Sequence, residues 1–257
     1  MEELELEREE EKKALERSKN EMAIATTGLF FLIFLVPIGF GQFGFPINLY
    51  LGVSVAIHEV GHLLFGVLGG GDRIITTAGG TLFEYLNPVV AVVFFARDKR
   101  GAALAMIFFA CMGSVMPYTA SYMENSNAPY GTSYFGGITG NANDMGPTNH
   151  DWHIMFSEWG VLERGHEIAA YVRAFGEVFM LIGIVGSVLG FWFMLNYTPA
   201  GFSELVVLGS VVSGAYFAWK LSMPQLSLCM AFTILALVWI GVRRWKIKDA
   251  YRKGERT

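Results

Sequence analysis

Charge is what this chain has least of. Only 16% of its 257 residues are Asp, Glu, Lys or Arg, against about 25% in an ordinary soluble domain. The few it has crowd into residues 1–21, the stretch Arg97 to Arg100 and the tail from Arg243, leaving long apolar runs between them. That is the pattern of an integral membrane protein. Cysteine is nearly missing: Cys111 and Cys229 both sit in apolar runs with no C-x-x-C spacing, so neither a disulfide framework nor a thiolate metal site is indicated. The first apolar run lacks a basic n-region. It follows 21 residues that contain nine Glu, so it reads as a retained span and not as a cleavable signal peptide. The net charge of −4 averages an acidic head and a basic tail, and implies no nucleic-acid partner.

The expected fold is an all-α integral membrane protein in three parts. Residues 1–21 form a solvated acidic helix, 22–242 a polytopic membrane domain, and 243–257 a basic tail. Candidate spans of about 20 apolar residues fall near 22–40, 48–70, 79–96, 102–120, 174–195, 203–219 and 224–242, so six to seven transmembrane helices are expected. The segment 79–96 opens on Gly79-Gly80 and is interrupted by Glu84 and Asn87-Pro88, which suggests a re-entrant or broken helix lining a cavity. After the fourth span comes a linker, 121–173. It is polar and Gly-rich to Thr148 and then amphipathic, which predicts an interfacial helix near 150–173 with Trp152 and Trp159 as headgroup anchors. Seven spans with the Arg97–Arg100 loop and the basic tail in the cytoplasm put the acidic head on the other side. The small-residue pattern Gly183-x-x-Gly186-x-x-x-Gly190 packs helices within one chain or between chains, which leaves the oligomeric state open.

One span carries H-E-V-G-H. On a helix, His58 and His62 at i and i+4 share a face and can reach one Zn²⁺, with Glu59 beside them as general base. The surrounding run, LYLGVSVAIHEVGHLLFGVLGG, is otherwise apolar. Three ionisable groups within five positions of a span are expensive and mark a functional site. The bland alternative is hydrogen bonding between helices, with Glu59 paired to an Arg. HEVGHLLFGVLGG resembles the metal-binding helix of the site-2 protease family, membrane-embedded zinc metalloproteases that cut substrates within or near the bilayer. GGTLFEYLNPVVAVVFF is similar to the Gly-rich segment and Asn-containing helix that follow it in that family. The resemblance covers roughly residues 48–96. It implies that Asn87, three residues from Glu84, hydrogen-bonds substrate backbone or the oxyanion; the alternative for Asn87 is a polar contact between helices.

The family's third ligand is an Asp in a distal D-G motif, and this chain has none. Asp72, Asp98, Asp144, Asp151 and Asp249 are its only aspartates, and none lies in a predicted span. The candidates for a third ligand are therefore His150, Asp151 and His153 in N-H-D-W-H. His150 and His153 share a helical face, and Asp151 either ligates or orients an imidazole. Two spans separate the zinc helix from the linker, so both halves of the site meet at one membrane face if the linker dips inward. The expected activity is zinc-dependent peptide hydrolysis on a membrane protein or peptide substrate, by a multi-pass protein of the cell membrane embedded in the lipid bilayer. A zinc-dependent lipid amide or ester hydrolase, and a metal-binding transporter or sensor, are the competing readings.

Overall fold

The fold is that of a computed structural model, which describes residues 2–30, 49–127, 150–196, 201–220 and 223–252. Its helices are α1 (Glu2–Phe30), α2 (Leu49–Leu68), α3 (Arg73–Phe95), α4 (Ala102–Glu124), α5 (Asp151–Glu158), α6 (Gly165–Asn196), α7 (Phe202–Trp219) and α8 (Met223–Arg252), with 3₁₀ turns at Asn125–Asn127 and Leu162–Arg164. No strand occurs among the described residues. Four helical stretches there are long and apolar enough to cross a membrane: Arg73–Phe95, Ala102–Asn127, Leu162–Leu195 and Met223–Ile240. Val53–Leu68 and Glu204–Ala218 are apolar but shorter. Among the described residues the count by length and composition is thus four, short of the six to seven expected, and residues 31–40 of the expected span 22–40 lie outside the described residues.

α4 is the centre of the bundle: 72% of its apolar window is buried inside the protein, against 11% for α8. In lipid, helices associate through close van der Waals packing rather than through expulsion of water, and the α4–α6 contact is built that way. The two run antiparallel, with Ala102, Ala103, Ala105 and Ala110 fully buried on α4. A Cβ on Gly183 of α6 would lie 2.6 Å from Ala110 Cα, and one on Gly190 would lie 2.8 Å from Ala103 Cβ. The Gly183/Gly186/Gly190 stripe is therefore used inside this chain. At the far end, Arg173 on α6 donates to both Glu124 carboxylate oxygens, at 2.9 and 2.7 Å.

α2 and α3 form a tight antiparallel hairpin. Gly69 to Gly71 end α2, with Gly71 N–H returning to the Gly66 carbonyl at 2.8 Å and Gly70 and Gly71 at φ 63° and 83°. Only glycine adopts that left-handed conformation readily. Asp72 then caps α3 by accepting the Ile75 N–H at 2.9 Å. The cap starts α3 at Arg73, so the segment expected to be re-entrant from residue 79 is one unbroken helix with Pro88 inside it.

Three other expectations change. The single helix expected at 150–173 is split: Gly160 sits at φ 66°, and the Val161 N–H closes on the Phe156 carbonyl at 2.9 Å, which ends α5. Trp152 packs into the interior at 9% exposure, beside Met155, Phe156 and Ala169, leaving Trp159, 52% exposed, as the tryptophan at the surface. The acidic head also lies at the same end of the bundle as the basic loop, since Arg100 pairs with Glu16 and donates to Asn20 at 2.7 Å.

Candidate metal centre

The hairpin sets two stripes of three residues, each spaced four apart, against each other. Ser54, His58 and His62 run along α2, and Thr76, Gly80 and Glu84 along α3. Residues four apart form one ridge of a helix, and such ridges interdigitate when helices pack. Because the helices are antiparallel, Glu84 meets Ser54 and His58, Gly80 meets both histidines, and Thr76 meets His62. Close approach is possible because a Cβ on Gly61 would fall 2.8 Å from Phe83 Cβ on α3.

Each imidazole is held by its inner nitrogen. His62 Nδ1 lies 2.8 Å from the Thr76 carbonyl, which can only accept, so the proton is on Nδ1. His58 Nδ1 lies 3.3 Å from a Glu84 carboxylate oxygen, and the Ser54 hydroxyl donates to the other. This pattern of a metal-ligating histidine, Nδ1–H on a carboxylate or backbone carbonyl, fixes the tautomer and turns the Nε2 lone pair outward. Both Nε2 atoms then face the same Asp151 oxygen, at 3.2 Å from His58 and 3.3 Å from His62.

Donor atoms that converge at that distance are held together either by a proton on an imidazole nitrogen or by a metal cation among them. A tetrahedral ion with arms of about 2.0–2.2 Å has ligand–ligand edges of about 3.3–3.6 Å, and the two separations, 3.2 and 3.3 Å, lie at the short end of that range. His58, His62 and Asp151 are the residues among those described whose donor atoms gather tightly enough to hold a metal. Gly80 leaves the space: a Cβ there would stand 2.6 Å from His58 Nε2 and 2.6 Å from His62 Nε2. Burial would raise the Asp151 carboxyl, but the imidazoles bonded to it hold it below its ordinary value, in the ionised form that ligates.

Of the three linker candidates, only Asp151 reaches the centre. His150 caps α5, its Nδ1 accepting the His153 N–H at 3.2 Å. Its ring stacks on Tyr122 with centroids 4.1 Å apart. Burial pushes the His150 imidazole down to about 4, so it is neutral. His153 donates from Nδ1 to the Ser126 carbonyl at 2.7 Å, tying α5 to the end of α4, and the Asp151 N–H reaches the Tyr122 hydroxyl at 3.4 Å. These bonds aim the first turn of α5 so that Asp151, at the positive end of its helix, enters the site. Glu59 is exposed, one residue round the helix from His58, with no hydrogen bond or ion pair among the described residues. Asn87 is exposed on the turn after Glu84 and makes no hydrogen bond to the histidine–aspartate group.

The spacing of HEVGH does not announce Ser54, Thr76, Gly80 or Tyr122. The available signal was the four-residue repeat shared by 54/58/62 and 76/80/84. No protein-family model matches the chain, and no curated protein or solved structure is significantly similar to it.

Proposed function

We propose that this chain is a multi-pass, membrane-embedded zinc hydrolase that cuts peptide bonds within or near the bilayer, the activity implied by its resemblance to site-2 proteases. In this reading α2 and α7 cross the membrane along with the four longer helices, because α2 packs antiparallel along α3, and α7 between α6 and α8. The observation that carries the proposal is the convergence of His58 Nε2, His62 Nε2 and Asp151 on one point, with both Nδ1 atoms committed elsewhere.

Zn²⁺ held by those three atoms would supply Lewis acidity, polarising a substrate carbonyl and making an attacking water more acidic. The rest is the chain's own work. Glu59 accepts a proton from the water as its oxygen bonds to the carbonyl carbon, and returns it to the amine nitrogen as the C–N bond breaks. Glu84 and the Thr76 carbonyl hold the imidazoles in register. Asp151 replaces the distal Asp-Gly ligand of the family with one brought in by a short non-spanning helix.

The test is metal content by mass spectrometry on purified protein, with hydrolysis of a model transmembrane peptide as the second readout. One zinc per chain should be lost in His58→Ala and Asp151→Ala and retained, though held less tightly, in His153→Ala, which loses only a bond that aims α5. Glu59→Gln should keep its zinc and lose hydrolysis. A wild type that stays metal-free after zinc is supplied would end the reading, and Glu59-dependent turnover of a lipid ester or amide but of no peptide would transfer the same site to lipid hydrolysis.

A further inference from the structure

The bundle has two chemically different ends. At one lie the head of α1 tied to Arg100, the α3–α4 turn, the start of α7, and α8 from Trp239 onward, which shares a cleft with Arg97 and Lys99. At the other lie the α2–α3 turn, α5 and the start of α6. Thirteen of the described Lys and Arg belong to the first end and four to the second, namely Arg73, Arg164, Arg173 and Lys220; Lys253 and Arg256 lie outside the described residues. Short flanks rich in Lys and Arg stay in the cytoplasm, whereas Asp and Glu count for little in this rule. The acidic composition of the head therefore does not oppose the assignment, and its five basic residues support it.

The metal centre belongs to the poorly basic end. His62 is six residues from the end of α2, about 9 Å of helix, Thr76 is in the first turn of α3, and Asp151 opens α5. A cleft of about 440 Å³ lies at this end between the α2–α3 turn and α5, its polar lining Asp72, Arg73, His153, Ser157 and Glu158 interleaved with Ile74 and Ile154. It shares α5 with Asp151 and the first turn of α3 with Thr76. Carboxylates, a guanidinium, an imidazole and a hydroxyl beside two isoleucines suit the amides and mixed side chains of an extended polypeptide better than an acyl chain.

We propose that the metal centre is served from the extracytoplasmic face, and that its substrates are the outer, membrane-proximal segments of membrane-anchored polypeptides. The chemistry rests on the hydrolase reading above; the orientation does not. The test uses the full chain with single cysteines at Ser157→Cys, in the polar cleft, and Lys99→Cys, at the basic end, both of which are exposed positions; the native Cys111 and Cys229 are buried. A membrane-impermeant maleimide should label Ser157→Cys in intact cells and Lys99→Cys only after permeabilisation. Reconstituted protein of known orientation should then cut a transmembrane peptide whose cleavable flank lies on the Ser157 side, and this cutting should vanish in Glu59→Gln. Labelling in the reverse sense, or Glu59-dependent cutting of the Lys99-side flank, would overturn the inference and leave the hydrolase standing. Labelling as expected with no Glu59-dependent cutting of either flank would overturn the substrate assignment together with the hydrolase reading.

Discussion

Replacing Gly80 by Ala should empty the metal centre without weakening the fold. The added Cβ would stand 2.6 Å from both His58 Nε2 and His62 Nε2, nearly 1 Å inside the roughly 3.5 Å of ordinary contact. Neither ring can simply back away, because His62 Nδ1 is anchored on the Thr76 carbonyl at 2.8 Å and His58 Nδ1 on Glu84 at 3.3 Å. Metal sites tolerate ligand displacements of only about 0.2 Å. A loss of at least the 10–100-fold seen when a ligand's orienting partner is removed is expected, or about 1.4–2.7 kcal/mol of zinc binding. Ala is a better helix former than Gly by roughly 1 kcal/mol, which offsets the cost of displacing two ring tips rather than backbone, so the metal-free protein should unfold close to wild type. Gly79→Ala is the contrast: its Cβ would strike Phe65 and come 2.8 Å from the Gly61 carbonyl, forcing α2 and α3 apart and lowering stability as well. Zinc affinity by competition with a chromogenic chelator, alongside thermal unfolding of the apo form, separates the two cases. A Gly80→Ala protein that binds zinc with unchanged affinity would refute the location of the site beneath that glycine.

Two further substitutions test its supports. Glu84→Gln gives the Ser54 hydroxyl and His58 Nδ1–H one acceptor where they now share two, so chelator competition should show zinc affinity down about 10–100-fold; an unchanged affinity would mean that Glu84 does not orient His58. Arg173→Lys removes a bidentate bond to Glu124 and a 3.2 Å bond to Ser121, which an ammonium cannot reproduce. The pair is partly exposed, with side chains at 36% and 23%, so the expected loss is about 1 kcal/mol or less, read by unfolding in a denaturing detergent titration.

The helices and the two-histidine face were legible because apolar runs and the i, i+4 spacing are local signals. The third ligand was not, because three candidates within four residues are separated only by the direction α5 faces, and that direction is set by His150 and His153 bonding to their own helix and to Ser126. The Thr76/Gly80/Glu84 stripe is just as regular as Ser54/His58/His62, yet pairing the two requires the hairpin closed by Gly69 to Asp72. Asn87 was drawn toward the site by resemblance, while Glu84 one turn earlier makes the contact. The break at Gly160 needed the knowledge that this glycine takes a left-handed conformation. The side on which the head lies depended on an Arg100–Glu16 pair 84 residues apart in sequence, which no local pattern announces.

A third ligand on a helix of eight residues ties metal binding to the docking of that helix. α5 is too short to be stable alone; it is held by its apolar face on Ala120, Met123 and Ala169 and by the His153–Ser126 bond. Taking the metal away replaces ligation by hydrogen bonds from the imidazoles to the Asp151 oxygen, at 3.2 and 3.3 Å, a weaker tether for the helix. Zinc at a hundred times its dissociation constant stabilises the form that binds it by about 2.7 kcal/mol. If that form is the docked one, hydrogen exchange at α5 amides such as Ile154 and Trp159, bonded to His150 and Met155, should speed up by as much as about 100-fold on chelation. Amides of α4, buried at the centre of the bundle, should hold their rates. Asp151→Ala should show the fast α5 rates with or without zinc. Equal α5 protection in the apo and zinc-loaded wild type would mean that the helix docks regardless of metal, and a uniform loss extending through α4 would mean that zinc stabilises the whole bundle and not this one joint.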